Sequence, residues 1–216
     1  MAISLPNGAL VAIAATYGAA KTIDTISNAT EAVMAMAVGH AFATGDIVEV
    51  TSGWSRLTDK VARVTVAADN ATIDDYDTSS TSIYPAGGGV PGTAREILTW
   101  TQLSQILSST SNGGDQQFLE YQLLEADAKK RIPSFKNPSG LSFSIADDAT
   151  LAGYILASAA NDDRLQRAVR ITLPSGALLY YNAYISLNKT PSLTVNEIMA
   201  CEVTLSLLNE PVRYAS

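Results

Sequence analysis

The sequence predicts a mainly β protein: a two-sheet β-sandwich or half-barrel flanked by one α-helix, with a small inserted β module. Three observations predict it. Turn signals recur at short intervals, from Asn7-Gly8 and Gly45-Asp46 through Ser52-Gly53 and Pro138-Ser139-Gly140 to Pro174-Ser175-Gly176, with Val-, Ile-, Thr- and Tyr-rich runs between them. The last third alternates apolar and polar residues with period two. One stretch alone has helical spacing.

In chain order, Ala9 to Tyr17 reads as a strand that continues over Thr22 to Ile26. Residues 27–92 then differ in character. They carry eight acids against three bases and end in Gly87-Gly88-Gly89, a run read as a linker. This predicts a discontinuous main domain, residues 1–26 and 93–216, with residues 27–92 as a small inserted β domain. Asp147 or Asp148 is positioned to cap a helix that has Leu151, Tyr154, Ile155 and Ala159 on one face and ends at Asn161-Asp162-Asp163. Beyond it, Val169, Ile171 and Leu173 alternate; so do Leu179, Tyr181, Ala183, Ile185 and Leu187, and then Met199, Cys201, Val203, Leu205 and Leu207. Period two over three segments predicts three antiparallel strands with one buried face, Cys201 on it.

Composition narrows function. Of 216 residues, 47% are hydrophobic and only 16% charged, against roughly 25% charged in ordinary soluble domains. Such a chain folds, and it has the sparsely charged surface expected of a subunit covered by others. A net charge of −7 argues against holding nucleic acid by phosphate neutralisation. One cysteine leaves no intrachain disulfide and no cysteine zinc site, and one histidine, His40, leaves no histidine metal cluster. No signal segment is expected, because no Lys or Arg precedes the short apolar run from Leu10 to Ala15. No apolar run nears the roughly 20 residues that span a bilayer.

Candidate chemistry is thin. His40 has Asp46 nearby but no nucleophile motif, and reads as a turn-stabilising side chain. Asp74-Asp75-Tyr76-Asp77 lacks the later Gly and Glu of a calcium loop. Asp147-Asp148 and Asp162-Asp163 flank the helix, where capping and solvation explain them. Lys129-Lys130-Arg131 and Arg164, Arg167 and Arg170 lack interleaved aromatics, and read as solvated groups or salt bridges to a neighbouring subunit. No catalytic residue, metal ligand or cofactor site is expected.

A family likeness rests on ordered segments: Asn7-Gly8 to Tyr17-Gly18-Ala19-Ala20, Trp100-Thr101-Gln102-Leu103, Gly113-Gly114-Asp115-Gln116-Gln117-Phe118, Ile132-Pro133, Arg167 to Gly176, Tyr181-Asn182-Ala183-Tyr184, Thr190 to Thr194, Asn196-Glu197 and Pro211-Val212-Arg213-Tyr214. Together they resemble the major tail tube proteins of long, flexible-tailed phages. Within the insert, Gly39 to Val48 is similar to a small β module of other phage structural proteins.

The resemblance implies a homo-hexameric ring, rings that stack into a tube, and inner strands joined across subunits around a channel. It implies Leu98 to Leu107 and Phe118 to Asp127 as inner-sheet strands, with Glu120, Gln122 and Glu125 facing the lumen. Ser108 to Gln117, a flexible connection, would be the ring-stacking loop through Ser108, Ser109, Ser111, Asn112, Gly113, Gly114, Asp115 and Gln116. Met1 to Gly8 and Asn209 to Ser216 are further bridging candidates, and the insert would sit on the outer wall. Implied partners are copies of the chain and the tail terminator, tape measure and tail-tip proteins. Phage DNA would pass without specific binding, and no membrane is involved. The expected location is the virion tail, assembled in the host cytoplasm. Competing expectations are a head decoration or head–tail connector protein, a carbohydrate-binding module using Trp54 or Trp100, and a hydrolase.

Overall fold

A computed structural model describes residues 7–215. Residues 1–6 and 216, and with them most of the expected N-terminal arm, lie outside that range. The chain is mainly β with one helix. β1 (Leu10–Tyr17) and β2 (Lys21–Ile26) precede β3 (Val33–Met36), β4 (Ile47–Thr51), β5 (Lys60–Ala67) and β6 (Asn70–Ile73). Next come β7 (Gly92–Leu103), β8 (Ile106–Gly113), β9 (Gln116–Tyr121), β10 (Lys130–Lys136) and β11 (Ser139–Ala146). The helix α1 (Ala152–Asp163), β12 (Gln166–Thr172), β13 (Leu178–Asn188), β14 (Ala200–Leu207) and β15 (Val212–Tyr214) complete it.

Two bodies of sheet share one strand. In the first, β2 pairs with β3, β3 with β6, β6 with β5, β5 with β4, β4 with β7, and β7 with β2 again, which closes a six-stranded antiparallel barrel. Its core packs Met34, Val48, Val50, Leu57, Val64 and Ile73 around Trp54. In the second, the far half of β7 starts a sheet ordered β7-β1-β12-β13-β14-β11-β8. The sheet curls until residues of β1 and β11 share one core with Ala157 and Ala160 of α1, including Ile13, Phe143, Val169, Ile185, Val203 and Leu205. That is a half-barrel plugged by a helix. Ala183, Ile185, Leu187, Cys201, Val203 and Leu205 are buried, as the period-two pattern predicts, whereas Met199 is exposed before β14 begins.

Five local expectations need correction. The Lys21–Ile26 strand pairs with β3 and with Gly92–Ala94, so its hydrogen bonds lie with the inserted strands. Gly87-Gly88-Gly89 is packed structure, not a linker: a Cβ on Gly88 would sit 3.0 Å from the Trp54 indole nitrogen, and Ser52 and Gly53 both donate to the Gly89 carbonyl. The helix is not capped by a carboxylate. Leu151 holds the N-cap position, while Asp148 accepts from the Thr150 amide and hydroxyl one turn earlier. Its buried face is Gly153, Ala157 and Ala160, and Ile155 points to solvent, because close approach to β7 requires small residues. Ser108 to Gln117, expected as a flexible connection, is strand β8 and its turn into β9.

A small third core joins the two bodies: Ala14, Val61, Ile97, Ala168, Tyr180, Val212 and Tyr214. Tyr214 is buried; its hydroxyl accepts from the Arg63 amide at 2.9 Å and donates to the Asp74 carbonyl at 3.2 Å. Burial pushes its pKa up to about 12. Beside this core the Glu49 carboxylate, 3% exposed, accepts from Arg95 (3.0 and 2.8 Å), Gln166 (2.7 Å) and Asn182 (3.0 Å). The first partner is on the strand paired with Glu49, and the other two are on β12 and β13. One buried anion thus ties barrel to half-barrel.

Glu49→Ala should therefore lower stability by about 1.5–3 kcal/mol in chemical denaturation, because Gln166 and the buried Asn182 lose their charged acceptor and Arg95, itself 35% exposed, loses its partner. A loss below about 1 kcal/mol, the range of exposed ion pairs, would show the cluster to be peripheral. Tyr214 is held neutral in the folded chain, so its contribution is complete below pH 10.0, the ordinary tyrosine value, and is lost as pH rises through about 12. The denaturation midpoint of Tyr214→Phe should fall less steeply over that interval than that of the parent chain.

Candidate assembly surface

The described residues hold no reactive centre around His40 or Cys201. The His40 ring accepts from the Phe42 amide through Nδ1 (3.1 Å) and donates to the Ala68 carbonyl through Nε2 (3.2 Å), which closes a turn. Cys201 is 1% exposed and donates to Asp147 at 3.4 Å; burial, and then this carboxylate, push its thiol pKa up. Trp54 lies in the barrel core, and half-buried Trp100 has the Arg170 guanidinium 4.9 Å over its ring and Tyr180 beside it at 6.0 Å. The features that stand out are an open strand edge, an exposed hairpin and a cleft at the hairpin's root.

Strand β8 forms the edge. One side pairs with β11 from Ser139↔Gly113 to Ile145↔Ile106; on the other side it has no strand partner among the described residues. Its sequence, ILSSTSNG, leaves every residue after Ile106 exposed. Ser108 and Thr110 join Ser142, Ser144, Thr190 and Ser192 around a hydroxyl-lined concavity of about 360 Å³. Hydroxyl side chains keep such an edge soluble while leaving its amides and carbonyls free to pair.

Gly113 and Gly114 turn the chain out of the sheet, with φ of +71° and +78°. A Cβ on Gly113 would lie 2.0 Å from the Pro138 carbonyl oxygen, so no other residue fits this corner. From it projects a separate two-stranded sheet, β9 on β10, with Arg131 opposite Glu120 and Ile132 opposite Leu119. Apolar side chains stand out along it: Phe118, Leu119, Leu123, Leu124, Ile132 and Phe135 are all exposed, Leu124 fully at 103%. A bare two-stranded ribbon is only marginally stable in water, and contiguous exposed apolar surface marks an interaction site. A second exposed apolar group, Leu193, Val195, Ile198 and Met199, lies in the loop before β14.

The expected site residues fall as follows. Ser108, Ser109, Ser111, Asn112 and Gly113 lie in β8, Gly114 and Asp115 in the corner, and Gln116 opens β9, where its amide donates to the Ser134 carbonyl at 3.0 Å. Glu120 is paired with Arg131 at 2.5 Å, and Gln122 donates to the Ala126 carbonyl at 2.9 Å within the hairpin tip. Glu125 is exposed and has no ion-pair partner among the described residues.

Between hairpin root and barrel lies a cleft of about 570 Å³, which the sequence reading missed. Lys136 pairs there with Glu210, and Lys60 donates to the Glu210 carbonyl at 2.7 Å. Burial lowers the Lys60 pKa, and the Lys136 hydrogen bond holds Glu210 below the usual carboxylate range. A usable sequence signal is the pair of apolar runs, Phe118-Leu119 and Ile132 to Phe135, on either side of the charged stretch Glu125 to Arg131.

A family model described as phage tail tube protein, TTP, matches residues 52–216. None of the curated proteins compared matches. Among solved structures, the sheath/tube terminator of the PVC extracellular contractile injection system, in its extended state, is 15% identical. That match covers 49% of this chain and 84% of the other, with a TM-score of 0.37. The tube-terminating cap of the anti-feeding prophage is 18% identical, over 53% of this chain and 83% of the other, with a TM-score of 0.38.

Gly113→Ala should release the hairpin from its corner. Limited proteolysis within residues 114–137 should accelerate while the thermal transition of the rest of the chain stays in place; unchanged cleavage would show that the corner does not orient the hairpin.

Proposed function

The chain belongs to the phage tail tube protein family, and on that premise we propose that six copies close into a ring and that rings stack into the tail tube through which the genome leaves. The open edge of β8 carries this reading. In a monomer such an edge is a liability, and in a ring it is a joint: a strand of the next copy completes its hydrogen bonds, and repetition removes the edge altogether. The contact is heterologous, so it closes by rotation into a ring, and a second contact along the axis propagates a polymer.

Other surfaces fit the same scheme. The corner at Gly113–Asp115 and the hairpin beyond it suit contacts between rings, and the closed barrel, which has no free edge, suits the outer wall. In this scheme Glu120 and Gln122 face the channel. Glu120 is already neutralised by Arg131, and Gln122 is satisfied within its own turn. A wall of compensated groups offers DNA phosphates neither strong attraction nor strong repulsion, which lets a densely charged polymer slide. The role is structural, with assembly in the host cytoplasm and residence in the virion tail.

Negative-stain electron microscopy of the full chain over a concentration series tests this. Hollow tubes or stacked rings are expected. Lysines at Ser109 and Ser111, which charge the β8 edge, should leave the far-ultraviolet circular dichroism unchanged and abolish ring closure. Trimers or single rings at every concentration would overturn the reading in favour of a decoration or connector role.

A further inference from the structure

We propose that the cleft at the root of the β9–β10 hairpin receives the hairpin tip of a second copy, Leu123-Leu124-Glu125-Ala126-Asp127, with its carboxylates meeting Arg56 and Lys60. This deepens the assembly reading and rests on it.

The cleft has the chemistry of an acidic and apolar guest. Its charged lining is Arg56, Lys60 and Lys136 against the single acid Glu210, in a chain whose net charge is −7. The Lys136–Glu210 pair uses one cation and the acid. Lys60 spends a hydrogen bond on a neutral carbonyl, and Arg56 has no ion-pair partner among the described residues. Two positive charges are thus left over at a partly sheltered place, where an incoming carboxylate makes strong charge-assisted hydrogen bonds. The apolar walls are Tyr76, Tyr84 and Phe135, the last 67% exposed.

The tip matches on both counts. Leu123 and Leu124 are exposed, Leu124 wholly, and Glu125 and Asp127 are exposed without ion-pair partners among the described residues. Its turn is already shaped by the Ala126 amide donating to the Leu123 carbonyl at 3.0 Å and by Gln122. Lys129 follows the tip and Lys130 opens the returning strand. The tip cannot fill the cleft of its own chain. The six-residue strand β9 separates tip from root by roughly 20 Å, and Gln116, Ser134 and Phe135 of the same hairpin form the cleft wall. A tip-to-root contact is therefore intermolecular, and in the proposed ring it repeats head-to-tail, the kind of contact that closes rings or extends chains. It moves Glu125 from the channel wall, where the sequence resemblance put it, to a subunit contact.

The test compares full-length chains by sedimentation velocity and negative-stain microscopy. Glu125→Lys with Asp127→Lys should raise the concentration needed for assembly by about tenfold or more, the effect of losing charge-assisted hydrogen bonds. Adding Arg56→Glu to that variant should recover assembly. In a mixture of Leu124→Cys chains and Arg56→Cys chains, a short bis-maleimide should join the two kinds; Cys201 is buried and stays silent. Equal assembly of the charge-reversed chain, or cross-linking only between Leu124→Cys chains, overturns the docking while leaving the assembly reading intact. A parent chain that never assembles overturns both.

Discussion

Strand β7 is the constraint on which the rest of this molecule depends. Its first residues hydrogen-bond to β2 and β4 and complete a barrel; its later residues pair with β1 and begin the half-barrel. Two sheets that share a strand cannot turn freely against each other, because the backbone crosses the junction without a joint. The side chains reinforce this. Glu49 takes donors from both bodies, and Tyr214 at the chain's end bonds to backbone on β5 and just beyond β6. Buried polar groups are favourable only when fully partnered, and here the partners come from opposite sides of the junction.

That rigidity leaves the unsatisfied groups in a defined place. The barrel consumes its own edges, and β15 and β14 cover β13. Among the described residues the long strand left open on one side is β8, followed at once by a hairpin whose ion pair to the rest of the chain, Lys136 with Glu210, lies at its root. The hydrogen-bonding capacity and much of the exposed apolar surface therefore stand together along one stretch, residues 106–136. The edge is made of Ser, Thr and Asn and the hairpin of Phe, Leu and Ile, so directional pairing and apolar burial are divided between neighbouring segments.

Much of this was legible in the sequence, and the failures have physical causes. The C-terminal strands could be read because each has one buried and one less buried face, and period two survives in the residue types. The mainly β class followed from the same signal. Ser108 to Gln117 read as a loop because Ser, Asn and Gly favour turns; in an edge strand the same residues are used for solubility, and composition cannot separate the two cases. The helix face is not legible because the residues buried on it are small: Gly153, close against β7, and Ala157 and Ala160 in the half-barrel core, while the large Ile155 is exposed. Gly87-Gly88-Gly89 looked flexible because the demand that Trp54 makes on its neighbours is a tertiary fact. The cleft at the hairpin root joins residues up to 154 positions apart, Arg56 to Glu210, and no local pattern announces it.

The hairpin has one more consequence, a kinetic one. A two-stranded ribbon exposed on both faces is only marginally stable alone, so in the proposed assembly the first encounter between two free chains would have to order it at the expense of chain entropy. Once one hairpin was clamped, the chain holding it would present a settled surface to the next arrival, and each later addition would meet less disorder than the first. Growth of that kind has a difficult beginning and an easy continuation. In the proposed tube it would give a lag, a threshold concentration and a strong response to seeds, and would keep newly made subunits apart until something already ordered was there to receive them.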